Sequence, residues 1–257
     1  MAVELYNDGS HIVHAFYDLV DDTAGPVVQC NQFLVVDDGH GALIDPGGNM
    51  TYTGLLMDMQ KYFSSKDLDY ILASHPDPDI IASVNKWFVA SQCKVLISSL
   101  WTRFVPHFTT GRDVSERIVG IPDPGMAIPL GKCRMVALPA HFLHAEGNFQ
   151  FYDPVAKILF SGDLGTSLVD HRAAAQPVGD FAAHLRNMEG FHRRYIVSGK
   201  ICRYWAAMVR QLDIEQIVPQ HGCRFVGKEM CGKLIDWIER LGCGVDLMTQ
   251  DNYRVPI

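Results

Sequence analysis

Within Leu72-Ala73-Ser74-His75-Pro76-Asp77-Pro78-Asp79-Ile80 an apolar run ends abruptly, and three side chains able to bind a metal follow at every second position. No other stretch restricts the fold as much. Leu68 to Ala73 has the aromatic and β-branched content of a short buried strand, and Ile80-Ile81-Ala82-Ser83-Val84 opens a helical segment running to about Ala90. The chain must therefore turn a strand-to-helix corner here. Pro76 and Pro78 fix their own φ and push the residues before them, His75 and Asp77, toward extended geometry. Alternate side chains of an extended segment share a side, so His75, Asp77 and Asp79 are placed to converge. A plainer reading competes at this point, with Asp79 as a helix cap and His75 as a polar strand end.

Other apolar runs end in the same way. The strand signal Val27 to Val36 turns through Asp37-Asp38-Gly39-His40-Gly41 and returns as Gly41-Ala42-Leu43-Ile44, a hairpin that stops at Asp45-Pro46-Gly47-Gly48. Asp45 is either the start of a solvated turn or a buried acceptor that orients a ligand histidine. Gly125 to Leu130 and Cys133 to Leu138 read as neighbouring antiparallel strands, followed by a loop carrying His141 and His144. Phe149 to Tyr152 and Lys157 to Ser161 form a second strand pair around Asp153-Pro154, ending at Gly162-Asp163. Ile214 to Gly222 is a short strand with His221 at its end. One histidine after a strand is usually structural, but several strand ends carrying His or Asp beside Gly or Pro mark the rim where a site is built. Three histidines and three carboxylates suit two metals that share a bridging acid.

Between these strands lie helical signals at Thr51 to Phe63, at Trp101 to Phe104, over much of Asp180 to Arg210 and at Lys228 to Leu241. His184, Met188 and His192 share one helical face, either as a solvated or packing face or as a lid over the site or a support for its ligands. The early β-α-β-α rhythm and the later antiparallel strands are expected to form one domain spanning residues 1–257.

Composition narrows the function. With 48% hydrophobic and 20% charged residues the chain is ordinary for a globular protein, and no segment approaches the roughly 18 uninterrupted apolar residues of a membrane span. A formal net charge of −7 without any Lys/Arg cluster argues against nucleic acid as a partner. Met1-Ala2-Val3-Glu4-Leu5 has no secretory pattern, and seven cysteines without a Cys-x-x-Cys pair suit a reducing compartment, so a cytoplasmic location is expected. These cysteines read as buried packing residues, Cys223 included, although it lies two residues after His221.

The set Leu43-Ile44-Asp45-Pro46-Gly47, Ser74-His75-Pro76-Asp77-Pro78-Asp79, Leu143-His144, Ser161-Gly162-Asp163 and Pro219-Gln220-His221-Gly222, in that order, resembles the metallo-β-lactamase-fold superfamily. Within it, the chain is most similar to the flavodiiron and oxygen-binding diiron branch. The resemblance covers essentially the whole chain and implies an αββα sandwich. It implies His75, Asp77 and His144 on one metal, Asp79 and His221 on the other, and Asp163 bridging; His141 is close enough in sequence to compete with His144, which matches the position better, and is otherwise a candidate to support the ligands. It also turns Asp45 toward the buttressing role.

The departures from the superfamily pattern carry the functional expectation. Zinc hydrolases of this fold place a histidine directly after the last aspartate of the corner, where this chain has Ile80. Asp77 stands where they have a histidine, and a carboxylate-rich set suits iron, with zinc or manganese as alternatives. The resemblance thus implies two iron ions and dioxygen or another diatomic ligand, with Ile80 leaving an apolar, open coordination position. The protein would be an O₂ sensor or binding protein, or an O₂ or NO reductase. The stretch after His221 is too short for a flavin-binding fold, so a separate redox protein would supply electrons. The alternative is a zinc-dependent hydrolase. A homodimer is compatible with the sequence.

Overall fold

The computed structural model describes residues 2–20, 27–111 and 114–256. Its first sheet holds, in spatial order, β1 (Ala2–Asn7), β2 (His11–Phe16), β3 (Gln32–Asp37), β4 (His40–Ile44), β5 (Leu68–Leu72), β6 (Lys94–Ser98) and β7 (Ile118–Ile121). Connection length decides strand direction. Asp38 (φ 49°) and Gly39 (φ 85°) make a two-residue turn that pairs Asp37 with His40, the backbone that a tight hairpin requires. The connections out of β4 and β5 instead cross over through α1 (Tyr52–Met59) and through α2 (Pro78–Ile81) with α3 (Val84–Ala90), so β4 to β7 run parallel.

The second sheet is a meander of β8 (Met126–Leu130), β9 (Cys133–Pro139), β10 (Phe149–Asp153) and β11 (Ile158–Phe160), extended by β12 (Gln216–Val218) and β13 (Phe225–Val226). Between β11 and β12 the chain runs through α4 (His171–Ala174), α5 (Phe181–His184), α6 (Glu189–Tyr195) and α7 (Gly199–Val209); α8 (Lys228–Glu239) follows β13. Four layers have three interfaces, and three apolar clusters fill them. Phe33, Phe149, Phe151 and Phe160 lie between the sheets, with the Phe33 and Phe160 rings 5.2 Å apart across the gap. Leu55, Met59 and Trp87 seal α1 and α3 onto the first sheet; Trp205, Leu234 and Ile238 seal α7 and α8 onto the second. The αββα sandwich expected from the sequence is the observed fold.

Several local expectations are corrected. Trp101 to Phe104 is a run of turns leading into a 3₁₀ turn at Val105–Phe108, because Pro106 denies a helix its backbone donor. The helix expected from Ile80 to Ala90 is split at Ala82 and Ser83, where Ser83 Oγ donates to Gly47 O (2.6 Å) and accepts from the Trp87 indole (3.2 Å). The helix from Thr51 to Phe63 stops at Met59. Residues 27–31, expected within the strand that starts at Val27, lie outside the ladder, which begins at Gln32, and the polar groups of Gln29 and Asn31 are engaged elsewhere. The Asp180 to Arg210 segment is α5, a 3₁₀ turn, α6 and α7, broken at Ile196 to Ser198. Pairing of β1 with β2 was not anticipated, and Met1 lies outside the described residues. No helix among the described residues is long and apolar enough to cross a membrane.

Because β4 and β5 run parallel, as do β11 and β12, their C-terminal ends share a rim with the end of β9. Across that rim Phe149 N donates to Ser74 O (2.9 Å) and Asn31 N to Gln220 O (2.6 Å), so backbone bonds from both sheets fix it.

Candidate metal centre

The corner after β5 is held from below. Asp45, buried with φ 49°, accepts from Ser74 N (2.8 Å) and from Ser74 Oγ (3.0 Å), and Ser74 Oγ also lies 2.9 Å from His75 Nδ1. A hydroxyl has one proton, and here Asp45 takes it. His75 Nδ1–H must therefore donate to Ser74 Oγ, which turns Nε2 toward the rim. Burial raises the Asp45 carboxyl to about 6 against the opposing bonds from Ser74, so the acid is tuned by its seat.

Asp77 occupies the N-cap position of α2 but its side chain makes no capping bond, and Asp79 lies inside the first turn. The plain capping reading of Asp79 thus fails. Asp77 Oδ2 is 3.1 Å from His144 Nε2 and 3.6 Å from His75 Nε2. Asp79 Oδ2 is 3.3 Å from His221 Nε2. Asp163 stands between the two groups, with Oδ1 3.8 Å from His75 Nε2 and 3.6 Å from His221 Nε2, and Oδ2 3.6 Å from His144 Nε2. Its Oδ1 is buried and has no hydrogen-bond partner among the described residues. A buried carboxylate oxygen without a partner is costly, and three imidazole nitrogens facing the same carboxylate are the donor set of a metal pair. The His75, Asp77 and His144 ligand atoms are already close enough together to hold an ion. The residues fit the group that the sequence implied.

Electrostatics agrees. Burial alone would depress His75, but Asp163, Asp77 and Asp45 outweigh it and raise the ring to about 9. Hydrogen bonds from His144 and His75 hold Asp77 well below the usual carboxylate range. Without metal the raised His75 ring holds a proton at neutral pH, and an ion would take the place of that proton.

Each remaining residue has its own support. Asn148 Nδ2 donates to Leu143 O and so shapes the loop that presents His144. Asp163 follows Gly162 (φ 54°), whose missing Cβ lets Ser74 approach. Two residues on, Gly165 N donates to His192 Nε2 (2.9 Å) while His192 Nδ1 donates to Met188 O (2.8 Å). Burial pushes His192 down to about 4, so the ring is neutral and fixes the loop as an acceptor. His221 Nδ1 donates to Gln29 O (2.6 Å); Gln29 Oε1 accepts from Gly222 N and its amide donates to Asn31, which itself donates to Pro219 O and Gly222 O. Those bonds explain why residues 28–31 leave the sheet.

Sequence reasoning missed Ser74, Gln29 and Asn31, for which the signal available was a polar residue inside each buried segment; the supporting role it weighed for the His184, Met188 and His192 face is seen at His192. Two expectations are corrected. His141 turns away from the centre, its Nε2 2.9 Å from Asp123 O and its ring against Phe149, because the loop reverses at Phe142 (φ 67°). Ile80 forms no apolar wall at the centre: its side chain is fully buried in the cluster beneath α2, and it is absent from the cavity lining. Nor does His184 reach the site; its ring lies 6.2 Å from Phe225. Cys223 is bonded to Ala173 O.

Above the centre opens a cavity of about 430 Å³, floored by the acids with His144 and His221, and roofed by Phe191, Arg194 and Tyr195 of α6. The Tyr195 ring stacks on Phe191 and meets the His144 ring edge-on at 5.7 Å.

A family model described as ODP family β-lactamase matches residues 28–222. The chain belongs to the ODP family. Two solved structures of the chemotaxis sensor ODP are each 36% identical to it. One, a peroxy diiron species, covers 98% of this chain and 99% of its own with a TM-score of 0.86. The other, the apo state from T. denticola, covers 99% of both with a TM-score of 0.87. Rubredoxin oxygen:oxidoreductase of Desulfovibrio gigas, 18% identical with a TM-score of 0.77 over 92% of this chain and 61% of its own, shares the fold. An uncharacterised protein of Methanocaldococcus jannaschii is 25% identical over 208 residues, 80% of this ODP-family chain, which spans about half (51%) of that relative.

Proposed function

We propose that this protein is a non-haem diiron protein that binds O₂. The observation that carries the reading is the buried, unpartnered Asp163 Oδ1, set between His75 and His221 at the meeting point of two His/Asp groups. His75, Asp77 and His144 would hold one iron, Asp79 and His221 the other, and Asp163 would bridge them. Iron supplies the electrons and open coordination positions that O₂ binding needs. The protein's own residues do the rest. Asp45, through Ser74, and Gln29 O fix the tautomers of His75 and His221. Phe191 and Tyr195 keep one wall of the cavity apolar, while its size admits a diatomic molecule with room to spare.

The 36% identity to a chemotaxis sensor over nearly the whole chain supports O₂ sensing rather than turnover as the biological role. A cytoplasmic location, one domain over residues 1–257 and a separate redox protein that restores the ferrous state belong to the same proposal. The test is metal analysis of anaerobically purified protein with absorption spectra before and after air. About two irons per chain and a visible band that appears with O₂ are expected, as the ligand count requires. Two zincs per chain with no O₂-dependent band would instead favour the hydrolase reading.

A further inference from the structure

Seven cysteines are free, and five of them are engaged singly or stand apart: Cys223 with Ala173 O, Cys231 with Phe225 O, Cys30 with Gln32, Cys93 beside Arg117 and Cys133 at a hairpin turn. Cys202 and Cys243 differ. Their sulfurs lie 4.0 Å apart, both side chains are fully buried, and 41 positions separate them in sequence. Cys202 belongs to the first turns of α7; Cys243 begins the C-terminal segment, flanked by Gly242 and Gly244. We propose that Cys202 and Cys243 form an oxidisable dithiol site, which hydrogen peroxide converts to a disulfide that locks the C-terminal segment onto the α6–α7 junction.

The surroundings are built for that lock. Gly244 (φ 52°) packs so closely on Ile196 O and Val197 O that no Cβ fits, and Val245 N donates to Val197 O (2.9 Å). The Asp246 carboxylate accepts from Gly199 N (2.7 Å) and Ser198 Oγ (2.9 Å), capping the start of α7. In the thiol form these polar contacts at the edge of the fold hold the segment, and local opening there admits a small oxidant. A disulfide needs sulfurs about 2.05 Å apart, a closure of about 2 Å that a cysteine between two glycines can make.

Cys243 lies on the segment that opens between Gly242 and Gly244, whereas Cys202 is held inside α7, so Cys243 is the sulfur that meets the oxidant first, as the thiolate. Cys243 thiolate attacks one peroxide oxygen; an S–O bond forms, the O–O bond breaks, and hydroxide leaves to take the thiol's proton as water. Cys202 sulfur then attacks the sulfenic acid; the S–S bond forms, the S–O bond breaks, and the second water carries away the Cys202 proton. Two thiols lose two electrons in all, and one peroxide gains them. The lock lies directly after α6, which roofs the cavity, so oxidation would stiffen that roof. The proposal stands on the two sulfurs and is independent of the metal centre.

Reduced full-length protein with its metals is treated with hydrogen peroxide, alkylated with iodoacetamide in denaturant and digested with trypsin without reductant. The expected product is residues 201–203 joined to residues 241–254, abolished by dithiothreitol and by Cys202→Ser. Amide exchange across residues 243–248 should slow by roughly tenfold on oxidation. The proposal is overturned if both cysteines are recovered alkylated while other thiols are oxidised, or if the linked peptide forms only when peroxide is added after unfolding.

Discussion

The two rims of the sandwich carry the same residue types with opposite outcomes. At the rim opposite the centre, His11 is clamped between Asp37 of the first sheet (Nδ1 to Oδ1, 2.9 Å) and Asp153 of the second (Nε2 to Oδ2, 2.7 Å), with all three side chains buried. Every remaining oxygen is used: Asp37 Oδ2 accepts from Lys132 N and Cys133 N, and Asp153 Oδ1 from Val155 N and Ala156 N. Ligand atoms of His11, Asp37 and Cys133 lie close enough for an ion, yet both ring nitrogens are already spoken for. At the open rim Asp163 Oδ1 has no hydrogen-bond partner among the described residues and only faces His75 Nε2 (3.8 Å) and His221 Nε2 (3.6 Å). Saturation of the polar atoms, more than their identity, separates a structural clamp from a ligand set.

Asp163→Asn should give the largest effect. The Asp163 carboxylate faces all three histidines, the position of the bridge proposed above, so iron per chain is expected to fall from two to one or none by elemental analysis. The metal-free variant should melt close to metal-free wild type, because the cost of burying the Asp163 charge and the support that charge gives the protonated His75 ring are lost together. A metal-free variant that melts well below wild type would make this rim structural like the other.

His11→Leu probes the closed rim. It leaves two buried carboxylates facing each other and is expected to cost ~3–5 kcal/mol in urea unfolding, with iron per folded chain unchanged. Burial opposes charging of His11, but Asp153 and Asp37 overcome it and lift the ring from 6.5 to about 10. A folded-state value above the unfolded one gives stability that is complete below pH 6.5 and lost as pH rises through about 10. Wild type should therefore lose urea resistance across that window, while His11→Leu loses less. If iron also disappears from the variant, the rims are coupled and the comparison breaks.

Ser74→Ala comes next. It severs Asp45 from His75 without touching a ligand atom, and a cut of that kind lowers metal affinity by roughly 10–100-fold. A competition titration against a chelator measures it. An unchanged affinity would mean that packing alone orients His75.

What the sequence made legible follows from this contrast. The converging residues sit where apolar runs end beside Gly or Pro, a local signature, and the Asp38-Gly39 turn likewise announces its hairpin. His11 and Asp153 are 142 positions apart and join only because β2 and β10 meet across the sandwich, so nothing local marks the clamp. Ser74 and Gln29 act through bonds whose partners are distant, and each looks like an ordinary polar residue in an apolar stretch. Ile80 is the instructive miss. The absent histidine was readable, but which way its replacement would point depends on the core beneath α2.

His141→Ala should have the smallest effect and is the sharpest check on how the rim sorts neighbours. Its loop carries two histidines three positions apart, and only His144 reaches Asp77. The positive φ at Phe142 reverses the chain between them, so they cannot face the same way. Removing the His141 ring deletes one bond to Asp123 O and an edge contact with Phe149, about 0.5–1.5 kcal/mol of stability. Iron content and the O₂-dependent spectrum should match wild type. A loss of iron in His141→Ala comparable to that in His144→Ala would show that the loop turns over when metal binds, and that proximity in sequence had been the better guide to the ligand set than the strand-end geometry.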